Sequence, residues 1–97
     1  MMKVLYNSNN YGICASKDGQ VKIGVKLDDC SGKIEMDGTD LLDLCTGACP
    51  NATLKDGVIT MTTGEKATLG AEGLINICKF IELEGPAELA KKIKEAV

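Results

Sequence analysis

Cysteine is the residue type in this chain with the clearest potential for chemistry, and five are present. The run Cys45-Thr46-Gly47-Ala48-Cys49-Pro50 is the most suggestive. If Gly47 ends a helix, the chain turns back there and both sulfurs face one point, as a tetrahedral, thiolate-bound metal requires. Cys30, in the turn-forming stretch Asp29-Cys30-Ser31-Gly32, is the third candidate ligand, and Cys14 or Cys78 would complete the set. Zinc or an iron–sulfur cluster would be the cargo of such a site. The spacing argues against it. Thr46, Gly47 and Ala48 make a spacer one residue longer than the usual knuckle, and no second pair answers it. Cysteine also packs well as a small hydrophobe. Cys45 and Cys78 fall on the apolar side of helical patterns, and Cys14 lies between Ile13 and Ala15, so the core is the leading assignment for the thiols.

The carboxylates Asp28, Asp29, Asp37, Asp40 and Asp43 concentrate on either side of residues 31–36. Hard cations take several oxygens from one compact loop, but the calcium-loop order of acids, glycine and a later Glu is not met. A solvated acidic rim with a helix start is expected instead. The glycines match neither the Walker nor the dinucleotide spacing, and turns account for them. Asn7-Ser8-Asn9-Asn10, next to Tyr11, is the most exposed polar loop predicted, and such loops often carry function. The chain has no His. That removes the commonest general base and metal ligand and excludes Ser–His and Cys–His nucleophilic chemistry within the chain. No cofactor is expected, and the chain is not expected to be an enzyme.

Fourteen acids against eleven bases give a net charge of −3, and every base is Lys. Without Arg the bidentate fork that reads guanine or clamps phosphate is missing, and an acidic chain is a poor nucleic-acid reader. There is no Trp, two Tyr and one Phe, so a partner surface must rely on aliphatic or polar contacts more than on aromatic anchors. The N-terminal run Met2-Lys3-Val4-Leu5-Tyr6 turns polar at Asn7, too early for a secretory apolar region. The longest uncharged stretch, residues 4–16, falls short of the roughly 18 to 20 apolar residues of a membrane span. A cytoplasmic setting without membrane association is therefore expected, with free thiols.

These residues need elements to position them. Residues 2–6 and 11–16 have the composition of short strands, separated by the Asn-rich turn. Asp18-Gly19 is a hairpin signal. Beyond it Val21, Ile23, Val25 and Leu27 alternate with Lys22, Gly24, Lys26 and Asp28, the pattern of a strand with one buried face. Residues 33–36 add a further short strand. Thr39 is then placed to cap a helix that carries Leu41, Leu44 and Cys45 on one face. Gly47 ends it in the left-handed conformation, and Pro50 stops any continuation. Asp56-Gly57 turns the chain into a β-branched run over residues 58–63, which folds back at Gly64-Glu65-Lys66 onto residues 67–69. Residues 74–83 fit both periods, and their length favours a helix. Gly85-Pro86 opens a last amphipathic helix with Leu89, Ile93 and Val97 on one face. The prediction is a single α+β domain over residues 1–97, with about 4 to 6 short strands in antiparallel hairpins covered on one face by two or three helices.

A chain of this length buries roughly 60 to 65% of its unfolded surface, enough for one core but not for a deep enclosed pocket as well. The functional expectation is a small acidic, non-enzymatic binding or regulatory module acting by contact with a partner protein. Inhibitors and adaptors of the kind carried by phages and mobile elements work this way, with complementary charge orienting the encounter. The alternatives are a metal or redox protein ligated through Cys45, Cys49 and Cys30, and a subunit of a homo-oligomer that shares the apolar 74–83 segment.

Overall fold

The protein was analysed as a computed structural model, which describes residues 3–16 and 20–96. The predictions that touch Met2, the Asp18-Gly19 turn and Val97 lie outside those residues. Four strands form an antiparallel meander in the order β1 (Lys3–Asn7), β2 (Tyr11–Ala15), β3 (Val21–Lys26) and β4 (Lys33–Asp37). Helix α1 (Gly38–Thr46) follows without a linker. Strands β5 (Ala52–Lys55), β6 (Val58–Met61) and β7 (Lys66–Thr68) make a second antiparallel meander. Helices α2 (Gly70–Glu84) and α3 (Ala87–Ala96) end the chain. This is the predicted α+β class, with both sheets antiparallel and three helices including the C-terminal one.

Alternation in β3 sets the polarity of the first sheet. Val21, Ile23 and Val25 are buried, and the registers Ile13↔Ile23 and Ile23↔Met36 carry the same inward face onto β2 and β4. Helix α2 lies against β2 and β3, α1 against β3, β4 and β5, and α3 packs across α1 and α2. One apolar cluster joins them, with Leu41, Ile59, Ile77, Ile81 and Ile93 fully buried. Burying each such side chain contributes about 1.5–3 kcal/mol. Residues 74–83 are helical throughout, settling the ambiguous period: Leu74, Ile77, Cys78 and Ile81 face the core.

Two predicted details are corrected. The N-cap of α1 is Asp37, not Thr39. The Asp37 carboxylate accepts the Asp40 N–H at 2.8 Å, and the Asp40 carboxylate accepts the Asp37 N–H at 3.1 Å, a reciprocal capping box. The helix therefore starts directly where β4 ends. The second correction is β5, which the sequence reading left without a strand. Asp56 (φ 52°) and Gly57 (φ 76°) both take left-handed backbone, the mark of a two-residue hairpin turn, and they pair Lys55 with Val58. Gly47 ends α1 at φ 79° as expected.

The two sheets meet at the end of β3. The Asp28 carboxylate accepts the Thr68 N–H at 2.8 Å and the Thr68 hydroxyl at 2.9 Å, and the Asp28 N–H donates to the Lys66 carbonyl at 2.8 Å. The three aromatic rings gather between β1, β2 and α2, where Tyr6 stacks on Tyr11 at 5.1 Å and lies 6.0 Å from Phe80. The Asn76 amide donates to the Tyr11 hydroxyl oxygen at 2.9 Å, pinning β2 to α2. Burial raises the Tyr11 pKa above its ordinary value, with the Asn76 hydrogen bond acting in opposition.

Candidate functional site

The face of the first sheet that carries Ile13, Ile23 and Met36 is buried in the core, and on the other face Val4, Lys22, Lys26, Lys33 and Glu35 are exposed. Register and alternation place three cross-strand rows on it. The first row runs Val4, Cys14, Lys22, Asp37. The second runs Asn7, Gly12, Gly24, Glu35. The third pairs Lys26 with Lys33, and the Lys26 N–H donates to the Asn10 carbonyl at 2.8 Å, tying the Asn-rich loop to this end. The middle row has no side chain at its two central positions. The face is thus an open groove of about 1030 Å³, floored by the glycine pair and rimmed by Asn7, Asn10 and the lysines.

The groove's charge differs from that of the whole chain. Lys33 is 3.4 Å from the Glu35 carboxylate. Lys22 and Lys26 are exposed and have no ion pair among the described residues. The Asp37 carboxylate is turned toward the α1 N-terminus by its capping bond. Ser8 holds the rim loop: its hydroxyl donates to the Tyr11 carbonyl at 3.1 Å and accepts the Asn10 and Tyr11 N–H groups, both at 3.3 Å. The loop predicted as the exposed polar connection therefore lies beside the groove.

The cysteines are divided between two regions. Cys14 and Cys30 line the open sheet groove. Cys30 occupies left-handed backbone at φ 63° in the turn before β4. That turn is fixed by the Asp29 carboxylate, which accepts the Ser31 hydroxyl at 2.6 Å and the Ser31 N–H at 2.9 Å. These bonds lower the Asp29 pKa. Cys45 and Cys78 line a second, apolar groove of about 740 Å³ with Leu54, Leu74, Ile75 and Lys94. Burial raises the pKa of both thiols; the proximity of Cys78 adds to the effect at Cys45, while Lys94 opposes it at Cys78. The Lys94 ammonium is itself engaged with Glu82 at 2.9 Å. Cys49 is half-buried in the loop after α1. Among the described residues no three His, Cys, Asp or Glu side chains group as a metal site needs, so Cys30, Cys45 and Cys49 do not come together as ligands.

Four of the five clustered aspartates are engaged within the fold: Asp28 bonds Thr68 between the two sheets, Asp29 bonds Ser31 in its own turn, and Asp37 and Asp40 form the capping box. Sequence reasoning missed the glycine pair. Gly24 was visible as the unoccupied position of an alternating strand, but its partner Gly12 is identified only by the β2–β3 register. Among the described residues no helix is long and apolar enough to cross a membrane. No protein-family model, curated protein or solved structure matches this chain.

Proposed function

We propose that this chain is a small non-enzymatic binding and regulatory module that acts by contact with a partner protein, through the helix-free face of β1–β4. One observation carries the reading: a four-stranded sheet covered on one side only, whose other side is a wide groove with a floor of two glycines. An antiparallel sheet can leave a face to water, but the wet face of a stable sheet normally gains from cross-strand side-chain pairs. Here the central pair is absent, which suits a surface built to be approached. The rim supplies polar and charged groups that orient a partner and set the encounter rate.

The test is site-directed photo-crosslinking in an extract of the native host. A photoreactive residue replaces Asn10 or Glu35 on the rim, and separately Glu88 or Lys91 on the outer side of α3, all four being exposed positions. Adducts to one partner from the rim positions, and none from α3, are expected. Adducts from α3 alone, or none from the rim, would defeat the reading. Binding carried by rim charges should also weaken as ionic strength rises past the point where the Debye length falls to about 8 Å. A salt-independent complex would remove the electrostatic part.

A further inference from the structure

We infer that the occupant of this face is an extended acidic segment of a partner protein, laid along β3 with one carboxylate at Lys22, one at Lys26 and a compact side chain between them over Gly12 and Gly24. The inference rests on the binding reading above and specifies its partner chemistry.

The glycines are the first observation. Gly12 and Gly24 lie directly opposite each other on the two central strands. Neither has positive φ, so the backbone does not demand glycine. A Cβ on Gly12 would meet Asn7 Oδ1 at 3.5 Å, and one on Gly24 would meet Lys33 Cδ at 3.6 Å, both ordinary contacts. Packing does not demand glycine either. In a strand it costs about 0.5–1 kcal/mol relative to Ala, and the fold gains nothing local in return. Glycine inside a strand often marks close approach by a ligand or another backbone. That explanation fits a pair on the one face that nothing covers.

Charge is the second, independent observation. Lys22 and Lys26 stand two residues either side of Gly24 and point outward with it. Neither has an ion pair among the described residues, whereas Lys33 is matched by Glu35. In an overall acidic protein this leaves two cationic groups together on the open face, complementary to carboxylates. Strand geometry sets their spacing. Four residues of strand span about 13 Å, the distance between positions i and i+4 of an extended ligand, which point the same way. Position i+2 between them then falls over the glycine floor.

The experiment is fluorescence anisotropy with a labelled peptide of about ten residues carrying Glu at i and i+4, Val at i+2 and neutral polar residues elsewhere. A second peptide of the same composition places the two Glu side by side. The spaced peptide is expected to bind and the adjacent one to bind more weakly. Gly24→Val, which fills the floor with a good strand former, should weaken binding about tenfold, a change of about 1.4 kcal/mol. The double variant Lys22→Gln/Lys26→Gln should do at least as much, and circular dichroism reports that both remain folded. If Gly24→Val lowers the melting temperature, the lysine variant alone carries the test. Absence of binding, equal binding of the two peptides, binding unaffected by the lysine double variant, or binding of an oligothymidylate in place of the peptide would each overturn the assignment. Rim crosslinks that persist when the peptide fails would retire the acidic occupant and leave the binding module standing. Loss of both would end both.

Discussion

At the scale of single residues, the fold sorts five thiols into different environments. Cys30 is exposed, Cys14, Cys45 and Cys49 are half-buried, and Cys78 is 2% exposed. Reaction with a thiol reagent requires the thiolate, so both access and pKa decide the order. Cys30 should be alkylated first, and Cys45 and Cys78 last, as followed by mass spectrometry of timed samples. Modification of Cys78 as fast as Cys30 would contradict the placement of α2. A second prediction concerns pH. Burial raises the pKa of Cys45 and Cys78 above that of a free thiol, so the folded chain holds these protons more tightly than the unfolded chain does. Their contribution to stability is complete below the unfolded thiol value of about 8.5 and is lost as pH rises through the folded values. Tyr11, also raised, acts with the same sign at higher pH. Urea midpoints should therefore fall on the alkaline side, and the fall should be shallower in Cys45→Ala/Cys78→Ala. An unchanged slope would show that these thiols do not drive it. The apolar environment of both cysteines was legible from helical spacing. That they share one groove was not, because it depends on how α1 and α2 are placed relative to each other.

At the scale of elements, short-range signals were legible and pairings were not. The alternation of β3, the left-handed stop at Gly47 and the turn at Asp56-Gly57 all stand where the residues put them. β5 was missed because Ala52-Thr53-Leu54-Lys55 has little strand character of its own. It is a strand because the turn after it brings it against β6. The same holds for the candidate site. Lys22, Gly24 and Lys26 are legible in the sequence as the outward set of one strand, while the groove required Gly12 to arrive opposite by register. The start of α1 gives the sharpest test at this scale. Asp is a stronger N-cap residue than Thr, and the reciprocal bonds of Asp37 and Asp40 are what satisfy the first turn. Asp37→Ala should destabilise by about 1 kcal/mol, and Thr39→Ala, at an exposed helical position, should change little. The reverse order in chemical denaturation would return the cap to Thr39.

At the scale of the molecule, residues 74–83 raise the question of self-association, because their sequence is apolar nearly all round. The fold divides that surface. Leu74, Ile77, Cys78 and Ile81 enter the core, and Ile75 and Leu83 remain 69% and 72% exposed on the outer side of α2. These two are eight positions apart, or about 12 Å along the helix at 1.5 Å per residue. Lys79 stands midway between them on the same stripe and is exposed. Ile75 also borders the apolar groove of Cys45 and Cys78, but a stable self-contact along the stripe would have to bury the Lys79 ammonium or turn it aside. The open sheet face is no better suited to a second copy. A two-fold axis over the glycine pair would bring Lys22 and Lys26 of one copy toward those of the other. We therefore expect a monomer, with charge opposing self-contact on the sheet face and Lys79 interrupting the apolar stripe of α2. Light scattering after size exclusion should give the chain mass of 10.2 kDa at every loading concentration. A mass that rises with concentration, and falls back in Ile75→Glu/Leu83→Glu, would make α2 a self-association surface. A rise abolished instead by Gly24→Val would put the second copy on the sheet, in the place assigned here to an acidic partner.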